Sequence, residues 1–513
     1  MRGFFKVGLA LFIISIISKL MGFFREVLIA NYFGISYSAD AYYVALTPAT
    51  LAITFSIVIS SVFLPLFVKN SRDRNYSFLF ANSVLSMFLI GVSFFYINIL
   101  IFTDFFINLL APGLPPEAET TSITLIKYLF PIVFIVIAIQ IYTLMLNTFE
   151  DYVASAASIL PNNLIIIIYF WIYGNEYGIT GVAVVTLIAN LAQLFILYYL
   201  LRKHHKYRII HSVKVWSPDS KVFMLLFLPV LVSSGFSQLN SVIDRLLASS
   251  ISEGAIASLS YAFRLRGIVT GIFIAPIITL TFPKLAKHSQ NQNYSEVSDL
   301  THKSVFSVFI LLIPLTIMFL FFYREIIQVL FERGNFDSDA TTVTSEVFWA
   351  YSIGILAIGF REVTLRAFYS YGDTKTPTFI MIIGSLTNIG LSYLLIKPFG
   401  LMGLGLSASI SFVISSCITI ILLKRNLDSI WSRAFVSQML KLVVASAIVS
   451  VSIFYLKYGF AIDFSSNKYT QLIGLGVYGI FSYVLFLFIL LLLKEKAILG
   501  LLQKLLIKKT IRK

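Results

Sequence analysis

The run Leu9-Ala-Leu-Phe-Ile-Ile-Ser-Ile-Ile-Ser-Lys19-Leu-Met-Gly22-Phe-Phe-Arg25-Glu26-Val-Leu-Ile-Ala-Asn-Tyr-Phe33 is longer than the roughly 20 apolar residues a helix needs to cross a hydrocarbon core, yet it holds two cations and an acid. A cation at that depth costs about 3 kcal/mol or more, so it is kept where it faces protein, water or a bound anion. The same pattern recurs along the chain. Lys127, Arg245, Arg264, Arg266, Arg361 and Arg366 also fall inside apolar stretches, and only Glu26, Asp40, Asp244 and Glu362 lie beside the eight cations. Such a distribution describes a cationic cavity inside a membrane, and hence a site for an anion.

The chain has 513 residues, 58% hydrophobic and 12% charged, which no ordinary soluble domain carries. Apolar runs of membrane-spanning length lie near 5–33, 38–67, 76–103, 122–148, 154–173, 178–201, 221–250, 254–282, 301–323, 345–370, 376–396, 401–423, 435–456 and 470–493. The expected fold class is therefore an all-α polytopic membrane protein of about 14 transmembrane helices. The N-terminal run continues past Gly22 without small-residue cleavage chemistry, which is not the pattern of a cleavable signal. The lone Cys417 excludes a disulfide framework and a Cys-based metal site. No His/Cys/Asp metal constellation is evident, and neither a phosphate-binding Gly-rich loop nor paired intramembrane carboxylates of a glycan-transferring enzyme are present. The reading is of a transporter and not an enzyme, with no cofactor.

If the N-terminus, with Arg2 and Lys6, is cytoplasmic, about 26 of the 39 Lys and Arg residues fall on the inside and about five on the outside. An even helix number with both termini cytoplasmic follows. The net charge of +15 then reflects topology and contact with anionic headgroups and needs no nucleic acid.

An internal repeat organises the chain. Thr143-Leu144 through Asp151, then Asn162 and Asn163 and the turn Gly178-Ile-Thr-Gly181, recur about 222 residues later as Thr364-Leu365 through Asp373, Asn388 and Gly400-Leu-Met-Gly403. A spacing of six spans makes these parallel repeats. The expected organisation is an N-lobe at 1–202, a cytoplasmic linker at 203–220 containing His204, His205 and Pro218, a C-lobe at 221–425, and two extra helices with a basic tail at 426–513. Helix breakers gather in the first, second, seventh and eighth spans, which also hold most of the buried charge. Gly22, Pro48, Gly235, Gly267 and Gly271 are the candidate hinges, although Gly and Pro are common in membrane helices generally.

At these residues the chain resembles a known family. Ser18-Lys19-Leu-Met-Gly22-Phe-Phe-Arg25-Glu26, Tyr32-Phe-Gly34 and Asp40-Ala-Tyr-Tyr-Val-Ala45 look like the opening of the MurJ/MviN lipid II flippases, within the multidrug/oligosaccharidyl-lipid/polysaccharide exporter superfamily. The likeness continues through Asp244-Arg245, Glu253-Gly254-Ala255, Tyr261-Ala-Phe-Arg264-Leu265, Phe282-Pro283, Phe331-Glu-Arg-Gly334-Asn-Phe336 and Leu365-Arg366 to Gly372-Asp373-Thr374-Lys-Thr376-Pro377, covering about the first 425 residues.

The resemblance implies a flippase of the bacterial cytoplasmic membrane, carrying an undecaprenyl-pyrophosphate-linked glycan from inner to outer leaflet by alternating access. Arg matches the pyrophosphate's oxygens bidentately and Lys supplies a point charge. By resemblance Arg25 and Arg264 are headgroup ligands, Lys19 stands where the family often has Arg, and Arg266 joins them. Asp40, Asp244, Arg245, Glu26 and Glu362 are gate or coupling residues. Two departures stand out: the family's Arg pair a dozen or so residues after the acid is replaced by Leu51-Ala-Ile-Thr54, and its Glu three residues after the eighth-helix Arg by Gly267. They leave another lipid-linked oligosaccharide open as substrate. A multidrug cation antiporter would need an acidic or aromatic cavity, and a membrane enzyme a long outer loop; the outer segments near 104–121 and 324–344 are short. Packing roles compete at each charge: Arg25 with Glu26 and Arg361 with Glu362 are neighbours on different helix faces that can each pair with another helix, and Lys19 and Lys127 can snorkel. Coupling to H+, to Na+ or to the membrane potential stays open, as do cell-wall synthesis proteins as partners.

Overall fold

The structure, a computed structural model, describes residues 2–70, 73–209, 218–426, 432–459, 468–495 and 499. Part of the linker (210–217) and nearly all of the basic tail lie outside the described residues. The described chain is almost wholly helical, and the single β-bridge joins Arg333 to Phe336. That follows from the solvent: a backbone in hydrocarbon must satisfy its own N–H and C=O groups. Ten helices among the described residues are long and apolar enough to span, or twelve when two bent pairs are each taken as one span. Among the ten, Lys375–Leu423 counts once, although Gly400 (φ 53°, ψ −136°) breaks it between the two runs read there.

Both outer segments read as loops contain short helices, Thr103–Leu110 and Tyr323–Phe331. The reason is helical spacing of the buried side chains: Ile107 and Leu110, like Ile327 and Phe331, are buried at intervals of three or four residues.

The repeat is legible atom by atom. Helix Arg74–Ile101 has its counterpart in Tyr294–Phe321, and Gly178 (φ 55°) in Gly400 (φ 53°). After Ile132–Thr148 and after Ile355–Ser370 the chain makes the same turn. Asp151 N donates to Leu146 O and Asp373 N to Phe368 O, with left-handed Glu150 (φ 67°) and Gly372 (φ 74°) at matching places. Asp373 then caps the next helix, its Oδ1 accepting from Thr376 N at 3.0 Å. Asp373→Ala is expected to cost about 1 kcal/mol of stability, read as a lowered thermal midpoint of the purified protein.

By packing the chain forms two units, Met1–Tyr261 with Arg333–Asp337, and Ala262–Glu332 with Ser338–Lys513. The first is centred on stacked Phe63, Phe67 and Phe80 and extends to Tyr142, Tyr207 and Phe223. In the second, the two C-terminal helices, Arg433–Gly459 and Lys468–Leu492, lie against Tyr294–Phe321, with Val449, Ile453 and Phe486 packed on Ile313 and Ile317. Lys457 fixes this seam through Glu325 at 2.7 Å while lying over the Phe322 ring at 4.9 Å.

Candidate functional site

In the first unit, the helix Arg2–Phe33 stops at Gly34 (φ 58°), and Ser36 starts Tyr37–Ala45 by accepting from Ala39 N. This tight turn places Asp40 in the first turn of the new helix, where its side chain is almost fully buried. Both carboxylate oxygens are used: Oδ2 accepts from Gly254 N and Oδ1 from Ala257 N, each at 2.8 Å. Asp40 thus caps the helix beginning at Ala255 from a distance of more than 200 residues, satisfying two amides that the helix itself cannot. A negative charge at that positive helix end is further stabilised by the peptide dipoles.

Around this cap the backbones close to contact. Tyr37 N donates to Glu253 Oε1 at 3.2 Å, Tyr261 Oη to Gly34 O at 3.0 Å, and Asn335 N to Asn31 O at 2.8 Å. Glycine is obligatory at two of the crossings. A Cβ on Gly254 (φ 74°) would stand 2.2 Å from Ile35 O, and one on Gly334 (φ 56°) 2.3 Å from Asn31 O. Sequence reading assigned roles to Asp40 alone here. Gly254, Gly334 and Asn335 were visible only as motif letters, because the close approach joins segments far apart in the chain.

The other candidate residues divide between the two units. In the first, Arg25 pairs with its sequence neighbour Glu26 at 3.1 Å, its long side chain reaching around the helix. Glu26 in turn accepts from Tyr43 Oη at 2.7 Å, so the pair is anchored to the Asp40 helix. Arg25 Nε is buried and has no hydrogen-bond partner among the described residues. Lys19 is half-buried, and Asn163 beside it donates to Ser18 O at 3.4 Å while standing 3.8 Å from a Cβ at Gly22. Arg245 donates to Thr47 Oγ1 at 2.8 Å, next to Pro48 at the start of Thr47–Asn70. Asp244 is half-buried, and a Cβ at Gly235 would meet nothing within 4 Å. Lys127 is exposed.

In the second unit Arg264 is half-buried and Arg266 is buried among aromatic rings, its guanidinium 4.4 Å from the Tyr351 centroid and 4.7 Å from that of Phe263. Arg361 pairs with Glu362 at 3.2 Å and lies over Phe412, while Arg366 reaches the other oxygen of Glu362 at 3.8 Å. Here too neighbours pair with each other. One turn beyond Arg266 the helix changes character: the α-helix Ala255–Val269 gives way to Thr270–Ile274, including Gly271, a π-helical turn, which is a rare feature that gathers at functional positions. Gly267, one turn earlier, has no atom within 4 Å of an added Cβ, so the position is open to a larger side chain. The same unit holds a cavity of about 370 Å³ whose lining includes Thr301, Phe309, Phe360, Val413 and Met439.

Comparison with known proteins gives a consistent picture. The family model described as lipid II flippase MurJ matches residues 29–474. That span continues beyond the 425 residues read from motifs, and it begins after Arg25 and Lys19. A probable lipid II flippase MurJ of Rhizobium tropici is 26% identical over 477 residues, 90% of this chain and 86% of the relative. The lipid II flippase MurJ of Thermosipho africanus is 28% identical over 480 residues, 92% and 95% of the two chains. Among solved structures, a lipid II flippase MurJ in an inward closed conformation superposes with TM-score 0.79 at 26% identity, covering 92% of this chain and 97% of that one. An inward-facing multidrug resistance transporter of the MATE family is similar in fold, with TM-score 0.68 at 16% identity and 81% of this chain covered.

Proposed function

The chain belongs to the lipid II flippase MurJ family, and from that premise we propose that it carries lipid II, the undecaprenyl-pyrophosphate-linked peptidoglycan precursor, from the inner to the outer leaflet of the cytoplasmic membrane. It is a transporter and not an enzyme. The observation that carries this reading is the family match across 29–474 of a chain whose intramembrane charge is mainly cationic. Moving a pyrophosphate through hydrocarbon unaided means burying its charge, and cations facing a wet path remove that cost.

In the finer account, fourteen helices form two six-helix lobes at 1–202 and 221–425, joined by a linker at 203–220, with two further helices after 426 and both ends cytoplasmic. Arg25, Arg264, Lys19 and Arg266 bind the headgroup. Arg25 Nε, like that of Arg361 and Arg366, is buried with no hydrogen-bond partner among the described residues, which leaves Arg25 a donor for the headgroup. Asp40 is the gate acid, whose cap on the Ala255 helix breaks and re-forms as access alternates; Asp244, Arg245, Glu26 and Glu362 serve gating or coupling. Gly22, Pro48, Gly235, Gly267 and Gly271 are hinges, of which Gly267 and Gly271 gain support from the π-helical turn. The apolar cavity beside Phe360 and Met439 suits a stretch of polyprenyl tail. The reset is driven by H+, Na+ or the membrane potential acting on the empty cationic carrier. Anionic lipids contact the inner basic segments, and cell-wall synthesis proteins are its partners.

The test is replacement of a depleted lipid II flippase in a growing bacterium. Rescue of growth without accumulation of lipid II is expected. Failure to rescue at normal membrane abundance would turn the reading toward another lipid-linked glycan.

A further inference from the structure

The two copies of the repeated turn differ in one respect. In the second copy Asp373 caps its own helix through Thr376 N. In the first, Asp151 starts the helix Tyr152–Ala157 but makes no side-chain cap bond to it. Its carboxylate turns instead to the end of helix Gly178–His205, where Oδ2 meets His204 Nδ1 at 3.2 Å and His205 Nε2 at 2.7 Å. The positions equivalent to the histidines in the second copy are Asn426 and Leu427, so the cluster is peculiar to the first.

We propose that Asp151, His204 and His205 form a binding site for a divalent transition-metal ion of the Zn2+ class on the cytoplasmic end of the first packing unit. The sequence reading expected no metal site, because the Asp lies 53 residues from the nearer His and neither partner belongs to a spaced motif. The folded chain brings one ligand atom from each residue within 4.8 Å of the others. In a tetrahedral zinc site with bonds of about 2.0–2.1 Å, neighbouring ligand atoms stand roughly 3.3 Å apart. The His204–Asp151 separation of 3.2 Å matches that spacing, and His205 Nε2, at 2.7 Å, stands somewhat inside it. Adjacent residues on a helix point in different directions; they reach one place here by using opposite ring nitrogens, near on His204 and far on His205. Two imidazoles and a carboxylate suit Zn2+, Co2+ or Ni2+ and leave a fourth position for water.

The surroundings hold this geometry and leave it reachable. The His205 ring stacks on Phe149 with centroids 4.4 Å apart and planes at 21°, and Arg74 covers the same Phe149 at 5.6 Å. Side-chain exposures of 40% for His204 and 31% for Asp151 leave a path for the ion. Glu150 keeps a left-handed φ of 67° where the other copy uses glycine, a conformation costing on the order of 1 kcal/mol for a side-chain-bearing residue. A bound ion would fasten the Phe149–Asp151 turn to the point where the chain leaves the Gly178–His205 helix.

The experiment uses the purified full-length chain in detergent, stripped with EDTA, then titrated with Zn2+ by calorimetry and with Co2+ by visible absorption. One ion per chain is expected, with a tetrahedral Co2+ band. His204→Ala/His205→Ala should weaken binding by more than about 100-fold, beyond the roughly 10–100-fold that loss of an outer hydrogen-bond partner costs a metal site. Asp151→Asn should do the same without removing a ring, and Asp373→Asn, at the matching place in the other copy, should leave binding unchanged. No saturable binding below about 1 mM, or binding that survives replacement of both histidines, would overturn the proposal.

Discussion

Asp40→Asn should abolish rescue of a flippase-depleted strain while the protein still reaches the membrane. Each Asp40 oxygen accepts one backbone N–H at 2.8 Å in a buried site. An amide keeps one acceptor and sets an NH2 group against the other N–H, so one bond is lost and two donors face each other. Losing a bond to a buried charged group costs about 2–3 kcal/mol, which shifts the capped state against the uncapped one by roughly 30- to 150-fold. Gly254→Val is expected to be at least as severe. Its Cβ would stand 2.2 Å from Ile35 O at a φ of 74°, and backbone cannot yield as a flexible side chain does. Gly91→Ala, at a helical glycine with nothing within 4 Å of an added Cβ, is the matched control and should be neutral. Growth and lipid II content, compared at equal membrane abundance, read all three; normal rescue by Gly254→Val would show that the crossing is dispensable.

The second large effect is expected at the arginines. Arg25→Ala and Arg264→Ala should each lower lipid II movement by about 100-fold or more, since each removes charge-assisted hydrogen bonds worth about 1.5–3 kcal/mol apiece. Arg25→Lys separates two roles for the residue. Lysine can still neutralise Glu26 at close range, but it lacks the planar fork that grips a pyrophosphate. Impaired transport with normal thermal stability in Arg25→Lys places Arg25 on the substrate. Full activity of Arg25→Lys together with lowered stability in Arg25→Ala would reduce the arginine to a partner of Glu26.

The sequence was most informative where local rules apply. Apolar length announced the helices, and the matching segments ending in Asp151 and Asp373 announced a repeat that the structure reproduces down to single hydrogen bonds and φ angles. Asp40 was recognisable as important because a buried acid in an apolar chain needs a reason. Its partners were not, since the N–H groups of Gly254 and Ala257 belong to the backbone and leave no trace in residue type. The pairing of Arg25 with Glu26 and of Arg361 with Glu362 also ran against the helical rule that adjacent side chains face apart. Arginine is long enough to escape that rule. Arg266 was read as a headgroup ligand by charge alone; of the three aromatic rings around it, Phe263 lies one turn earlier on its own helix, whereas Tyr351 and Phe412 are connected to it by no local pattern. The Asp151 cluster was hidden for the same reason, with its histidines assigned to a linker.

The central claim is that this chain itself moves lipid II across a bilayer. The most direct measurement is made in vesicles containing the purified protein and lipid II with a fluorescent headgroup, in which a membrane-impermeant quencher is added outside and the loss of the protected inner-leaflet signal is followed. The account predicts protein-dependent loss of that signal, strongly reduced in Arg25→Ala and in Asp40→Asn. A wild-type rate no faster than that of protein-free vesicles, with and without an imposed membrane potential and H+ or Na+ gradients, would contradict it.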